Sequence, residues 1–270
     1  MTAIAIQTPP LPAAVRVRPV EGLRQTATLA WRTLVQIRHN PMELMDYSVQ
    51  PLMFVLLFTY VFGGAVSGST GAYLAFALPG IIVQNALFTT LNTGVGLNTD
   101  LTKGVFDRLR SLPIARSAPL AGRIVADVAK QGWSMALLLA AGAAIGFRVH
   151  TGPFGVLGAF VLLVIVALAV SWMSVLVGMV VSEPERVMVF GFTVMFPLTF
   201  VSNAFVATST MPGWLQAWVK VNPVTHLADA IRGLLVSGPV AGPVLWSLLW
   251  AAGIGVVFAP LAVRAFRRRV

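Results

Sequence analysis

His226, Asp229 and Arg232 recur at intervals of three in the segment MPGWLQAWVKVNPVTHLADAIRGLLVS, residues 211–237. On a helix this spacing puts an imidazole, a carboxylate and a guanidinium along one face, within pairing reach. A His–Asp pair is one half of acid–base or hydrolytic chemistry. The other half is a nucleophile or a metal, and on that face no Ser, Cys or metal ligand accompanies the pair. The trio is therefore read as a structural polar cluster. The 270-residue chain has no cysteine, which excludes disulfides, thiol nucleophiles and thiolate metal sites. It also has no HExxH, no GxSxG and no aspartate-rich metal motif. An enzyme is not expected, and neither is a metal site.

A second concentration of chemistry-bearing residues is KGVFDRLRSLPIARSAPLAGRIVAD, residues 103–127, which holds Lys103, Asp107, Arg108, Arg110, Arg116, Arg123 and Asp127. Its surroundings are apolar. Hydrophobic residues make up 57% of the chain and charged residues 10%, with a mean hydropathy of +0.83. Soluble domains carry roughly a quarter charged residues. The chain is read as an all-α polytopic membrane protein. Its net charge of +10 is attributed to cytoplasmic loops rather than to nucleic-acid binding.

Six stretches are long and apolar enough to cross a bilayer: Tyr47–Val66, Tyr73–Leu97, Ile124–Ile145, Phe154–Val181, Val187–Val206 and Val244–Val263. The second carries Pro79, Gln84, Asn85 and Asn92 and is the weakest of them on composition. With six spans, nearly all Lys and Arg fall on the side that holds the two termini, 98–123 and 182–186. Arg148, Lys220 and Arg232 fall on the other. The asymmetry orients both termini and the 103–127 stretch toward the cytoplasm. Residues 1–20, with Pro9, Pro10 and Pro12, read as a cytoplasmic tail and not as a cleaved signal peptide.

Shorter elements flank the spans. Residues 21–40 place Leu23, Ala27, Ala30, Trp31, Leu34 and Ile37 on one helical face, an amphipathic interface helix. Ser182 and Glu185 have capping-box spacing at the start of the fifth span, with Pro184 in its first turn. Glu183 is left as a candidate for a cytoplasmic contact. Between spans five and six, residues 207–239 read as two short helices dipping into the outer leaflet. Trp214 and Trp218 lie at its interface, and Asn222-Pro223 opens the second helix, which Gly238-Pro239 closes. Within 98–123, Gly104 and Pro113 bracket VFDRLRSL, in which Val105, Leu109 and Leu112 share a face. A helix this short is marginal alone and needs a surface, either lipid or a groove on a partner protein. Arg123 and Asp127 are one turn apart and are expected to pair at the start of span three.

These features together resemble the permease subunit of type-2 ABC exporters of the daunorubicin-resistance kind, over roughly Leu23 to Arg264. The resemblance rests on the amphipathic N-terminal helix, on the 103–127 pattern, on FPLTFVSNAFVATSTMPGWLQAWVKVNPVTHLADAIRGLL after span five, and on the six-span count. It implies a pair of permeases working with two ATP-binding subunits, which carry ATP and Mg, in a bacterial cell membrane. It also implies that Gly104, Val105, Phe106, Asp107, Arg108, Leu109, Arg110, Leu112 and Arg116 form a coupling helix against the ATPase. No GxxxxGK[ST] phosphate loop occurs in the chain, so the energy source comes in trans.

The spans hold no interior charge except Asp127 and Lys130 near the inner end of the third, which argues against ion coupling and against an aqueous channel. An apolar path suits an amphipathic small-molecule cargo. Candidate wall residues are Asn85, Phe88, Asn92, Phe196, Asn203 and Phe205. Asn85, Phe88 and Asn92 form one helical stripe, which serves equally as a helix–helix contact. The alternatives are a permease for lipid-linked or polysaccharide cargo, and a membrane-embedded enzyme acting on lipids.

Overall fold

A computed structural model describes residues 41–104 and 118–269, together with positions 24, 27, 28, 31 and 35. Among the described residues every regular element is helical. Span one starts with α1 (Pro41–Leu57), widens into a π-helical turn (Phe58–Phe62) and ends in a last α-turn (Gly63–Ser67). Gly68, at φ +69°, reverses the chain. The Ser69 hydroxyl then caps α2 (Thr70–Thr102) by accepting from the Ala72 amide at 3.2 Å. After α2 come α3 (Ala118–Ile145), α4 (Gly152–Val180), α5 (Pro184–Phe200), α6 (Gly213–Val221), α7 (Pro223–Leu235) and α8 (Ala241–Arg269). The isolated positions 24, 27, 28, 31 and 35 are helical, and Trp31 among them is exposed. The remainder of the expected interface helix lies outside the described residues.

Among the described residues five helices are long and apolar enough to cross a membrane: Tyr47–Ser67, Thr70–Thr102, Ile124–Ile145, Gly152–Val180 and Ala241–Ala265. The stretch expected to form the fifth of six spans, Val187–Val206, is not one helix. α5 has 17 residues and ends at Phe200, a rise of about 25 Å against roughly 30 Å of hydrocarbon. Pro197 lacks the amide that would support its last turn, and Ser202-Asn203 leave the helix to make other bonds. The start of α5 also differs from the expected capping box. Glu183, not Ser182, is the N-cap, without a side-chain cap bond, and it pairs instead with Arg186 at 2.9 Å. Pro184 at the first helical position removes one of the amides a cap would serve.

α2, the weakest span on composition, is the most buried of these five helices. Its apolar residues are spread around the whole circumference, as expected of a helix surrounded by others. Two glycines let neighbours approach its backbone. A Cβ on Gly80 would overlap the Ala204 carbonyl in the turn after α5. A Cβ on Gly94 would overlap the Ser174 carbonyl of α4, and Gly178 of α4 reciprocates against Gly94. One turn below that crossing, the Asn98 amide donates to the carbonyls of Gly178 and Val181 at 2.8 and 2.7 Å, closing the end of α4. α4 packs along α2 and α8, while α3 leans on α1 and α2 and touches α4 only lightly.

Candidate functional site

Three groups of side chains emerge: a polar knot, an aromatic chain, and a polar seam between α2 and α3. The knot is built around α7. Its apolar stripe, Val224, Leu227, Ile231 and Leu235, is buried against α2, α4 and α8. Asn222 opens the helix as expected, its Oδ1 accepting from the Val224 amide at 2.8 Å with Pro223 at the first position. The Nδ2 of the same residue donates to the carbonyls of Leu198 and Val201, both at 2.8 Å. One side chain thus caps the start of α7 and the broken end of α5.

Arg232 completes the knot. Its Nη1 meets Asp229 Oδ1 at 2.6 Å, its Nε donates to the Phe76 carbonyl of α2 at 3.2 Å, and its Nη2 donates to the Asn203 carbonyl at 3.3 Å. The guanidinium also lies 4.1 Å from the centre of the Phe76 ring. Asn203 Nδ2 donates to Asp229 at 2.8 Å. Burial pulls the Arg232 guanidinium below the ordinary arginine value, and the Asp229 carboxylate opposes this by charge and by hydrogen bond. His226 is not part of the knot. Its ring stacks on Trp246 of α8, with centroids 5.6 Å apart. The structure therefore joins Asp229 and Arg232 and separates His226 from them. Trp214 and Trp218 of α6 are exposed.

The aromatic chain runs Phe88–Phe192–Phe196–Phe200–Phe205–Phe58, with consecutive ring centroids 5.5, 5.4, 4.3, 5.0 and 4.6 Å apart. Phe54 and Phe62 flank Phe58 on span one. Phe192 and Phe196 are 48% and 43% exposed, so the middle of the chain forms an open surface. Phe88, Phe196 and Phe205 were visible as candidates. Phe192 and Phe200 were missed, although their spacing of four from Phe196 puts all three on one helical stripe.

The amides proposed beside those rings lie elsewhere. Asn85 Nδ2 donates to Ser134 of α3 at 2.6 Å, Asn92 Nδ2 donates to the Tyr47 hydroxyl of α1 at 3.5 Å, and Asn203 belongs to the knot. Asn85 instead begins the polar seam. Thr89 follows against Gln131 at 3.1 Å, then Thr93, whose hydroxyl donates to Asp127 Oδ2 at 3.1 Å. The spacing of four along α2 meets a descending series on antiparallel α3. Asp127 pairs with Lys130 at 3.6 Å, and Lys130 sits 5.3 Å from the centre of the Tyr47 ring. The side chain of Arg123, the partner expected for Asp127, lies outside the described residues.

Of the residues expected to contact an ATPase, Gly104 is described. At φ +64° it terminates α2, its amide donating to the Leu101 carbonyl at 3.2 Å. Val105, Phe106, Asp107, Arg108, Leu109, Arg110, Leu112 and Arg116 lie outside the described residues. Among the described residues no group of three His, Cys, Asp or Glu could hold a metal ion.

Comparison with known proteins places this arrangement. The chain is 43% identical over 254 residues to the daunorubicin resistance ABC transporter permease protein DrrB1 of Streptomyces coeruleorubidus, covering 93% of this chain and 90% of that one. It is 28% identical over 249 residues to the probable doxorubicin resistance ABC transporter permease protein DrrC of Mycobacterium tuberculosis, covering 90% and 88%. A putative transport permease of Cyanophora paradoxa, ycf38, matches at 26% over 217 residues, 78% of this chain and 74% of that one. The family described as ABC-2 type transporter matches residues 24–236, which include the seam, the aromatic chain and the knot. This multi-helix membrane protein belongs to the ABC-2 type transporter family, as one of its permeases.

Proposed function

We propose that this chain is the permease of an ATP-driven exporter of amphipathic drugs or antibiotics of the daunorubicin type. The aromatic chain carries the reading. Six phenylalanines from the π-helical turn of span one, α2, α5 and the turn after α5 form a connected apolar, polarizable surface, open at Phe192 and Phe196. Such a surface suits a flat, amphipathic cargo that leaves the bilayer without needing a charged partner. Phe88, Phe196 and Phe205 line the path. Asn85, Asn92 and Asn203 shape it by fixing the helices behind it.

Energy comes from a separate ATP-binding subunit that holds ATP and Mg. Residues 104–112 lie against it as a coupling helix, with Arg108, Arg110 and Arg116 facing its surface or the lipid beside it. Two permeases and two ATPases make the working unit, in a bacterial cell membrane with both termini cytoplasmic. α5 and the turn after it form a sixth crossing, and α6 and α7 dip into the outer leaflet. Lipid-linked or polysaccharide cargo is the second reading and requires the same fold.

Co-expression with the ATP-binding subunit, followed by ATPase assays of the purified complex, tests the proposal. Daunorubicin is expected to stimulate hydrolysis, and replacing residues 104–112 with a Gly/Ser linker is expected to abolish the stimulation. Stimulation by a glycan-lipid alone supports the second reading. Turnover of lipid by the isolated chain without nucleotide identifies an enzyme and contradicts both.

A further inference from the structure

The polar seam opens into a crevice of about 30 Å³ between α2, α3 and α4, with Tyr47 of α1 at its end. That volume admits one or two small polar groups. On one wall stand Thr93, Asp127, Lys130 and Gln131, and on the other Ser171 with the apolar side chains of Val164 and Leu168. α3 touches α4 only lightly, and the crevice lies between them beside the seam.

Gln131 is the informative residue. It is 8% exposed, and its Nε2 has no hydrogen-bond partner. The Thr89 hydroxyl lies 3.1 Å from Gln131 Oε1 and 2.7 Å from the Ala86 carbonyl, with one proton for the two. Whichever way the amide is turned, one of its terminal atoms is left unmet in a side chain that lines the crevice. A buried polar atom in that state costs on the order of 1–3 kcal/mol until something meets it. The charges offer no such opening. Lys130 is held by Asp127 and by the Tyr47 ring, and Asp127 by Lys130 and Thr93. The wall is thus neutral overall, and an ionic head group would have to break that pairing. A hydroxyl donates and accepts, so it satisfies Gln131 in either orientation.

We infer that the crevice between α3 and α4 binds the hydroxyl head of a neutral amphipath whose apolar body lies along Val164 and Leu168. Asp127 is nine residues, about 13 Å, along α3 from Ala118. The site therefore sits in the leaflet from which α3 enters, away from the aromatic chain on α5. Both a lipid alcohol and a hydroxyl-bearing cargo present this chemistry. The site does not depend on the transport reading, because binding is measured on the isolated chain without nucleotide.

The test is photolabelling of the purified full chain with a diazirine-bearing monoacylglycerol, alongside the matched fatty acid and fatty amine. Peptides covering 124–131 and 164–171 are expected to be labelled about tenfold more by the alcohol than by either ionic probe. Gln131→Leu removes the amide, and Ser171→Phe fills the crevice from the opposite wall. Each is expected to reduce that labelling about tenfold without a fall in melting temperature. If Gln131→Leu does not fold, Ser171→Phe carries the test. Displacement by daunorubicin assigns the site to cargo, and displacement by unlabelled monoacylglycerol alone assigns it to lipid. Equal labelling by the three probes, or wild-type labelling of the folded variants, overturns the proposal and leaves water alone in the crevice.

Discussion

Two acid–base pairs sit at opposite ends of the bundle, each with i, i+3 spacing and an aromatic ring under the cation, yet they are built differently. Asp229–Arg232 closes at 2.6 Å, and the guanidinium also reaches carbonyls on two other segments. Asp127–Lys130 closes at 3.6 Å, beside a crevice. The planar arginine fork satisfies several acceptors at once, whereas an ammonium is a point charge that leaves its surroundings adjustable. The Asp229–Arg232 pair is therefore a fastener for α2, α7 and the turn after α5. The Asp127–Lys130 pair neutralises itself and leaves room next to it.

The comparison is broken most severely at Arg232. Its side chain is 16% exposed, and Arg232→Met takes the cation from Asp229, which keeps Asn203, and releases two carbonyls. A loss of about 3 kcal/mol in unfolding free energy is expected, seen as a large drop in melting temperature and in the yield of monodisperse protein. Asn222→Ala comes next. It removes an N-cap, worth about 1 kcal/mol, and two bonds that hold the end of α5, each worth about 0.5–1.5 kcal/mol. Asn222→Ser keeps a capping hydroxyl and loses the two donated bonds, so its smaller deficit in the same melt isolates the α5 contribution.

At the seam Lys130→Met is expected to cost about 1 kcal/mol or less, because the pair stands 3.6 Å apart and Asp127 retains Thr93. Thr93→Val is expected to cost about 0.5–1 kcal/mol. Double-mutant cycles sharpen the contrast, with a coupling for Asp229–Arg232 at least twice that for Asp127–Lys130. Equal couplings would mean that the two ends are fastened alike.

The sequence already exposed whatever depends on local pattern. Asn222-Pro223 announced α7 and Gly238-Pro239 its end, because caps and proline act within one turn. Five apolar runs became five long helices for the same reason. Contacts between segments were hidden. Asn85, Phe88 and Asn92 make one stripe on paper, but α2 is enclosed on all sides, so they meet α3, α5 and α1 respectively. His226 and Asp229 share a helix, yet the ring finds Trp246 and the carboxylate finds Asn203, 20 and 26 residues away in opposite directions. The shortened α5 was hidden as well. Hydropathy runs through Val201–Val206, while Ser202, Asn203 and a distant Asn222 decide where the helix stops.

The most direct measurement of the central claim is daunorubicin movement in proteoliposomes, followed by fluorescence, for the chain alone and with its ATP-binding subunit. The account predicts ATP-dependent movement with both proteins present, none when either is absent, and a strong decrease when Phe192 and Phe196 are replaced by Ala. ATP hydrolysis or concentrative transport by the chain alone would contradict it.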